Sequence, residues 1–192
     1  METLRHFISE YISLPEPEWK LIAMCFEKQT VDKEEMILHE GKICKYLYFL
    51  ESGLFRFYIN KDGNDVTKFF TDAPYFFTSQ ASFNAQKPAF ENIEAIEKSV
   101  IWRISFAKSN ELYKLNSWTE FARKIIQEVQ FFTEEILEEL QTETAEHRYE
   151  KLQKNSPDLV KRVPLKHLAS YLGIAPQSLS RIRRKLAQKQ QT

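Results

Sequence analysis

The sequence predicts an α+β chain: a β-rich aromatic module first, a long helix second, and a small basic helical module last. Three observations carry this prediction. Of 15 Phe, 12 lie before residue 110 and none after 132, so the large aromatic core belongs to the first part. Between Met36 and Ser105 short runs rich in β-branched and aromatic residues recur with turn signals between them, the rhythm of strands in a sandwich or barrel. Residues 147–192 hold 11 Lys and Arg against two acids, a net +9 balanced by −9 over the other 146 residues. A basic module carried by an acidic one points to a polyanionic partner, although a solvated basic surface would give the same count.

The whole chain of 192 residues is long enough for one large domain, or for a medium one and a small one. Its 43 % hydrophobic and 28 % charged residues are the mix of a soluble globular protein. The longest apolar run, Leu21 to Phe26, is far short of a membrane span, and no charged start with a long apolar stretch marks a signal peptide. Cys25 and Cys44 are too few for a disulfide scaffold and too isolated for a zinc or iron–sulfur site. The expectation is a cytoplasmic protein without membrane contact.

Residues 3–12 and 15–27 read as short helices. In the second, Leu21, Ile22, Cys25 and Phe26 recur at helical spacing after Pro15-Glu16-Pro17. Strands are expected at Met36–His39, Tyr46–Leu50, Leu54–Ile59, Val66–Thr71, Asn92–Ile96 and Val100–Ser105. Asn60-Lys61-Asp62-Gly63-Asn64 is the clearest hairpin turn, because Asp-Gly tolerates positive φ.

From Ser117 the pattern is helical for about 35 residues. Trp118, Ile125 and Phe132 are spaced by seven, with Ala122, Val129 and Ile136 as companions four residues later. That is an a/d seam, expected to pair with a second copy; a helix packed on the β-module is the other reading.

After the break at Asn155-Ser156-Pro157-Asp158, one helix starts near Pro164 and ends before Gly173, and a second opens at Pro176. Leu168, Ala169, Leu172, Ile174, Leu179, Ile182 and Leu186 form the inward faces. This is a helix-turn-helix, with Gly173 in the left-handed turn. The outer face of the second helix presents Gln177, Ser178, Arg181 and Arg184. The division expected is 1–116 for the β-module, 117–145 for the long helix and 146–192 for the basic module.

In this order, and through Ile37-Leu38-His39-Glu40-Gly41, Tyr46 to Gly53 and Leu168 to Lys185, the chain resembles the Crp-Fnr family of bacterial transcription regulators. Arg148-Tyr149, Tyr171 to Ile174 and Leu179 to Arg183 resemble its Bacteroidetes branch. The resemblance covers nearly the whole chain. It implies a double-stranded β-helix of jelly-roll type, similar to cyclic-nucleotide-binding domains, then a dimerising helix and a winged helix-turn-helix. Carried over, it makes Gln177, Ser178 and Arg181 base readers: Arg181 suits guanine O6 and N7, and Gln177 suits adenine N6 and N7. Lys166, Ser180, Arg183, Arg184 and Lys185 would grip phosphates. It also implies a homodimer on a double-stranded DNA operator, with RNA polymerase as a further partner. Only Ala187 to Thr192 follow the second helix, so the wing is expected to be absent or very short.

At the effector site the chain departs from the family. Family members that bind cyclic nucleotides carry a Gly-Glu pair for the ribose and an Arg-Ser or Arg-Thr pair for the phosphate. Here residues 74–80 and 87–92 contain no Gly, no Glu near 78 and no Arg near 89. A phosphate diester is best held by a guanidinium fork. Lys87 is the nearest cation and Glu91 opposes an anion. The expectation is a vestigial pocket of Phe76, Phe77, Thr78, Phe83, Lys87, Ala89 and Phe90, with no cofactor and an unknown effector.

Two other classes compete with this reading. His6, His39, His147 and His167 are scattered without ligand spacing, and no catalytic triad or phosphate loop is visible, which speaks against an enzyme or a metal site. A ligand-binding or protein-interaction module with a merely solubilising tail stays open; binding to random DNA at moderate salt discriminates it.

Overall fold

The computed structural model describes residues 1–189 of the chain. Among the described residues two helices, α1 (Glu2–Tyr11) and α2 (Glu16–Cys25), precede eight strands, and Pro17 falls in the first turn of α2, where its missing N–H costs nothing. The strands are β1 (Glu27–Val31), β2 (Met36–Leu38), β3 (Tyr46–Ser52), β4 (Leu54–Lys61), β5 (Asn64–Asp72), β6 (Tyr75–Phe77), β7 (Asn92–Ala95) and β8 (Ser99–Ser105). A short helix α3 (Gln80–Ala85) lies between β6 and β7, and α4 (Phe106–Leu112) follows β8. The rest is helical: α5 (Asn116–Thr142), α6 (Ala145–Asn155), α7 (Pro157–Arg162), α8 (Leu165–Tyr171) and α9 (Pro176–Lys189).

The strands form two four-stranded sheets, β1-β8-β3-β6 and β2-β7-β4-β5, which make a jelly roll. In the first sheet β8 pairs antiparallel with both β1 and β3, bringing Arg103 level with Glu27 on one side and Tyr48 on the other. The hairpin between β4 and β5 closes through Asp62 and Gly63, both at positive φ, and Asn60 Oδ1 accepts from the Gly63 N–H at 3.1 Å. All six expected strands are present. Two more, β1 and β6, have no clear signal in the sequence: Glu27-Lys28-Gln29-Thr30 is polar and exposed apart from half-buried Gln29, and β6 is three residues long.

The chain divides into two compact units, Met1–Phe57 with Phe70–Phe131, and Tyr58–Phe69 with the residues from Phe132 on. The division expected at 116/117 and 145/146 does not coincide with this one, since α5 contributes to both units and the β4–β5 tip belongs with the C-terminal helices.

In the first unit the aromatic core has two layers. Phe49 and Phe76 lie against Phe7 of α1 at 5.5 and 5.8 Å between ring centres, and Phe76 also meets Phe121 of α5 at 5.2 Å. Trp118, Phe121, Trp19 and Ile22 complete this layer, all buried. Burial of several rings of this size, each worth about 1.5–3 kcal/mol, anchors α5 to the sheet. Tyr11 and Tyr75 then donate their hydroxyls to the two oxygens of Glu128, at 2.7 and 2.9 Å, and Lys124 Nζ reaches the Tyr11 carbonyl at 2.6 Å. No helix of the described residues is long and apolar enough to cross a membrane.

Candidate nucleic-acid interface and roll interior

In the second unit α8 and α9 are joined by a turn of four residues. Leu168, Ala169 and Leu179 are fully buried and Leu172 nearly so, because these apolar positions recur at helical spacing on the facing sides. Gly173 takes φ +70°, its N–H donating to the Ser170 carbonyl at 3.0 Å while Ile174 N–H reaches the Ala169 carbonyl at 3.0 Å. This pair of bonds is a Schellman motif, which any residue with a Cβ would enter with strain. Thr144 caps α6 by accepting from His147 N–H at 3.2 Å. The β5 edge meets α8 within this unit: Thr67 N–H donates to Ser170 Oγ, and Ser170 Oγ donates to the Asp65 carbonyl, both at 2.9 Å.

The outer face of α9 carries Gln177, Arg181 and Arg184, all exposed, at i, i+4 and i+7. Ser178 is half-buried and accepts from Arg181 Nη2 at 3.2 Å. Ser180 Oγ donates back to the Pro176 carbonyl at 3.1 Å, and Lys166 is exposed on α8. Lys185 is engaged by Glu146 of α6, and the two share a cleft of about 300 Å³ with Ser178, Arg181 and Ile182.

Arg183 is placed differently from the expectation. Its guanidinium lies 5.6 Å from the Tyr149 ring centre, with Nε and Nη2 buried and without a hydrogen-bond partner. Six residues after Gln177 it turns towards α6, where Arg148 Nη2 also donates to the Leu172 carbonyl at 2.8 Å. It packs between α9 and α6. The residues after Lys189, over which part of a very short wing would fall, lie outside the described residues.

On α5 the expected seam splits. Trp118 is 1 % exposed and Ile125 packs against the aromatic core, so both belong to the chain's own β-module. Ala122, Val129 and Ile136 stay half-buried, and Phe132 is half-exposed. Ile126 and Leu140, 48 % and 55 % exposed, join Ala122, Val129, Thr133 and Ile136 on one face at spacings of four and three. That is again a heptad pattern, rotated from the first because the seam read from Trp118 faces the core.

The aromatic residues expected to fill one effector pocket do not converge. Strand alternation sends Phe76 and Phe77 to opposite faces of β6. Phe77 alone enters the roll, 4.9 Å from Phe55, 5.2 Å from Tyr48 and 6.0 Å from Phe57. Phe76 joins the helical layer, Phe83 packs edge-on to Phe106 at 5.4 Å, and Phe90 is 82 % exposed. Thr78 Oγ1 donates to the Tyr46 carbonyl at 2.9 Å, the Lys87 carbonyl accepts from Ser82 Oγ, and Ala89 is buried with its N–H on the Lys42 carbonyl. Glu91, next in the chain after Phe90, is buried.

Cys25 and Cys44 are free thiols; burial raises the Cys25 pKa above its ordinary value. Among the described residues no cluster of three or more His, Cys, Asp or Glu could hold a metal ion.

Residues 28–116, which hold most of the two-sheet roll, match the cyclic nucleotide-binding domain family. No curated protein matches the chain. Among solved structures, one described as a transcriptional regulator of the crp/fnr family from Eubacterium rectale superposes with a TM-score of 0.72 at 18 % identity, covering 92 % of this chain and 85 % of that one. A CooA mutant from Carboxydothermus hydrogenoformans gives 0.70 at 15 % identity, covering 88 % and 79 %. The c-di-GMP-responsive global regulator CLP from Xanthomonas campestris gives 0.67 at 14 % identity, covering 91 % and 93 %. At these identities the likeness is one of fold.

Proposed function

We propose that the chain is a homodimeric, sequence-specific DNA-binding transcription regulator of Crp/Fnr type, with α8 and α9 as its helix-turn-helix. The observation that carries this reading is the exposed row Gln177, Arg181 and Arg184 on α9, a helix held rigidly by the Leu168, Leu172 and Leu179 core. A helix of this kind fits the major groove, where Arg181 and Gln177 supply the bidentate donors and acceptors that distinguish guanine and adenine. Ser178 assists at the bases; Lys166, Ser180, Arg184 and Lys185 meet phosphates. The apolar stripe from Ala122 to Leu140 on α5 pairs two copies, which places two copies of α9 on half-sites about 34 Å apart.

The sensor lacks the cyclic-nucleotide contacts. Residues 74–92 supply no guanidinium to a buried phosphate, which would be a poorly paired charge there, and the ring of Phe77 occupies the interior among Phe55, Phe57 and Tyr48. RNA polymerase is the further partner in this reading, and the cytoplasm of a bacterium, of the Bacteroidetes branch, its setting. The test is selection of bound sequences from a random DNA pool by the purified chain, followed by salt titration on the selected site. A near-palindromic consensus with strong salt dependence is expected. Enrichment of no sequence, with no binding to duplex at moderate salt, overturns the reading in favour of a ligand-binding or protein-interaction module.

A further inference from the structure

A cavity of about 280 Å³ opens between the two sheets at one end of the roll. Gln29, Tyr46, Tyr48 and Arg103 line it from the first sheet, and Met36 and Leu38 line it from the second. None of residues 74–92 lines it, so it is separate from the stretch where related domains hold a cyclic phosphate. Mouths of closed β-folds are common ligand sites, since side chains from many strands converge there.

The polar groups of this cavity are held in place with donor capacity left over. Arg103 Nη1 donates to Gln29 Oε1 at 3.0 Å, Nη2 reaches Glu27 Oε2 at 3.4 Å, and the guanidinium stacks 4.7 Å from the Tyr46 ring centre. Its Nε is buried without an acceptor. Tyr48 is 4 % exposed and stacked on Phe77, and its hydroxyl makes no hydrogen bond among the described residues. A phenol left unpaired in a half-apolar cavity gains from an incoming acceptor, and the Arg103 guanidinium beside it supplies the positive charge. Lys42 and Lys45 add positive charge at the rim. Glu35 is the one carboxylate among the lining residues, and its Oε2 is occupied by the Asp32 N–H at 2.8 Å.

We infer that this end of the roll binds a small organic carboxylate on a flat, apolar body. The carboxylate suits the planar guanidinium of Arg103 and the Tyr48 hydroxyl. The apolar body lies between the tyrosine rings and the Met36 and Leu38 side chains, and the volume limits the ligand to roughly the size of a substituted benzene ring. The site is independent of what the C-terminal helices bind.

Calorimetric titration of the whole chain with benzoate tests this, with benzamide as the ring without charge and inorganic phosphate as the charge without ring. Saturable benzoate binding is expected, with benzamide at least about tenfold weaker and phosphate weaker than benzoate. Arg103→Gln is expected to lose about tenfold and Tyr48→Phe about threefold, with Arg103→Lys in between. Circular dichroism establishes that each variant is folded; if Arg103→Gln is not, the benzamide comparison and Tyr48→Phe decide. Absence of saturation at about 10 mM benzoate, equal binding of benzamide, tighter binding of phosphate, or unchanged affinity in a folded Arg103→Gln each overturns the inference.

Discussion

Glu146 at the start of α6 holds Lys185 of α9 with both carboxylate oxygens, at 2.7 and 3.1 Å from Nζ. An acid thus sits in the cleft that Arg181 and Ser178 share with Lys185. The pair is partly solvated, so it adds little to stability. Its consequence lies in binding. Glu146→Gln frees Lys185 for a phosphate and removes a like charge, so affinity for random duplex should rise several-fold and the log–log salt slope should steepen by about one. Fluorescence anisotropy against sodium chloride reads both; wild-type values in the variant would place the pair away from the DNA.

The three arginines of α9 should separate cleanly. Arg181→Ala is expected to cost about 1–3 kcal/mol on the selected site and to relax preference at one base pair per half-site. Arg184→Ala should weaken all sequences alike and make the salt slope shallower by about one. Arg183→Ala should instead lower thermal stability by about 1 kcal/mol through its lost contact with Tyr149. Electrophoretic competition with thermal melts of the same samples distinguishes the three, and identical behaviour of Arg181→Ala and Arg184→Ala contradicts the division.

On α5, Ile126→Asp with Leu140→Asp should abolish the dimer and keep the fold, because a charge in a heptad seam is unpaired. Ile125→Asp places the same charge against the aromatic core and should unfold the first unit. Sedimentation and circular dichroism read the two outcomes; a dimer that survives Ile126→Asp with Leu140→Asp refutes the stripe.

Cyclic AMP and cyclic GMP at about millimolar concentration should give no saturable heat and leave operator binding unchanged, since a ligand shifts an equilibrium only if it binds one state better. A saturable heat would show that the interior around Phe77 opens.

Alkaline pH should weaken the first unit. Burial first, and then the Glu128 carboxylate, raise the Tyr11 and Tyr75 pKa values above the ordinary tyrosine range. A raised folded-state pKa gives stability that is fully present below the unfolded value near 10 and is lost as pH climbs towards the folded one. Denaturant midpoints measured from about pH 9 upward should fall, and less steeply in Glu128→Gln.

Much of the fold is legible in the sequence. Six strands follow from β-branched and aromatic runs between turn signals, and α8, its glycine stop and α9 from periodicity with Gly173 and Pro176, because these signals are local. The polar edge strand β1 has no apolar face of its own to announce it, and β6 is too short for a period. The existence of β6 comes from pairing: Phe49 lies opposite Phe76, and Tyr48 opposite Phe77.

What the sequence by itself determined is the order of modules, the basic charge of the last one and the apolar periodicity of α5. What only the tertiary structure decided is direction. Periodicity defines a face without saying what it meets, so Trp118 and Ile125 turned to the chain's own core while Ile126 and Leu140 stayed exposed. Composition counts a charge without saying whether it is solvated, so Arg183 turned towards Tyr149 while Arg181 and Arg184 remained exposed. The cavity at Arg103 arose from residues far apart in the chain: strand pairing sets Arg103 of β8 opposite Tyr48 of β3 and Glu27 of β1, with Gln29 two positions further along β1. Burial is a property of neighbours, and neighbours distant in sequence exist only once the chain has folded.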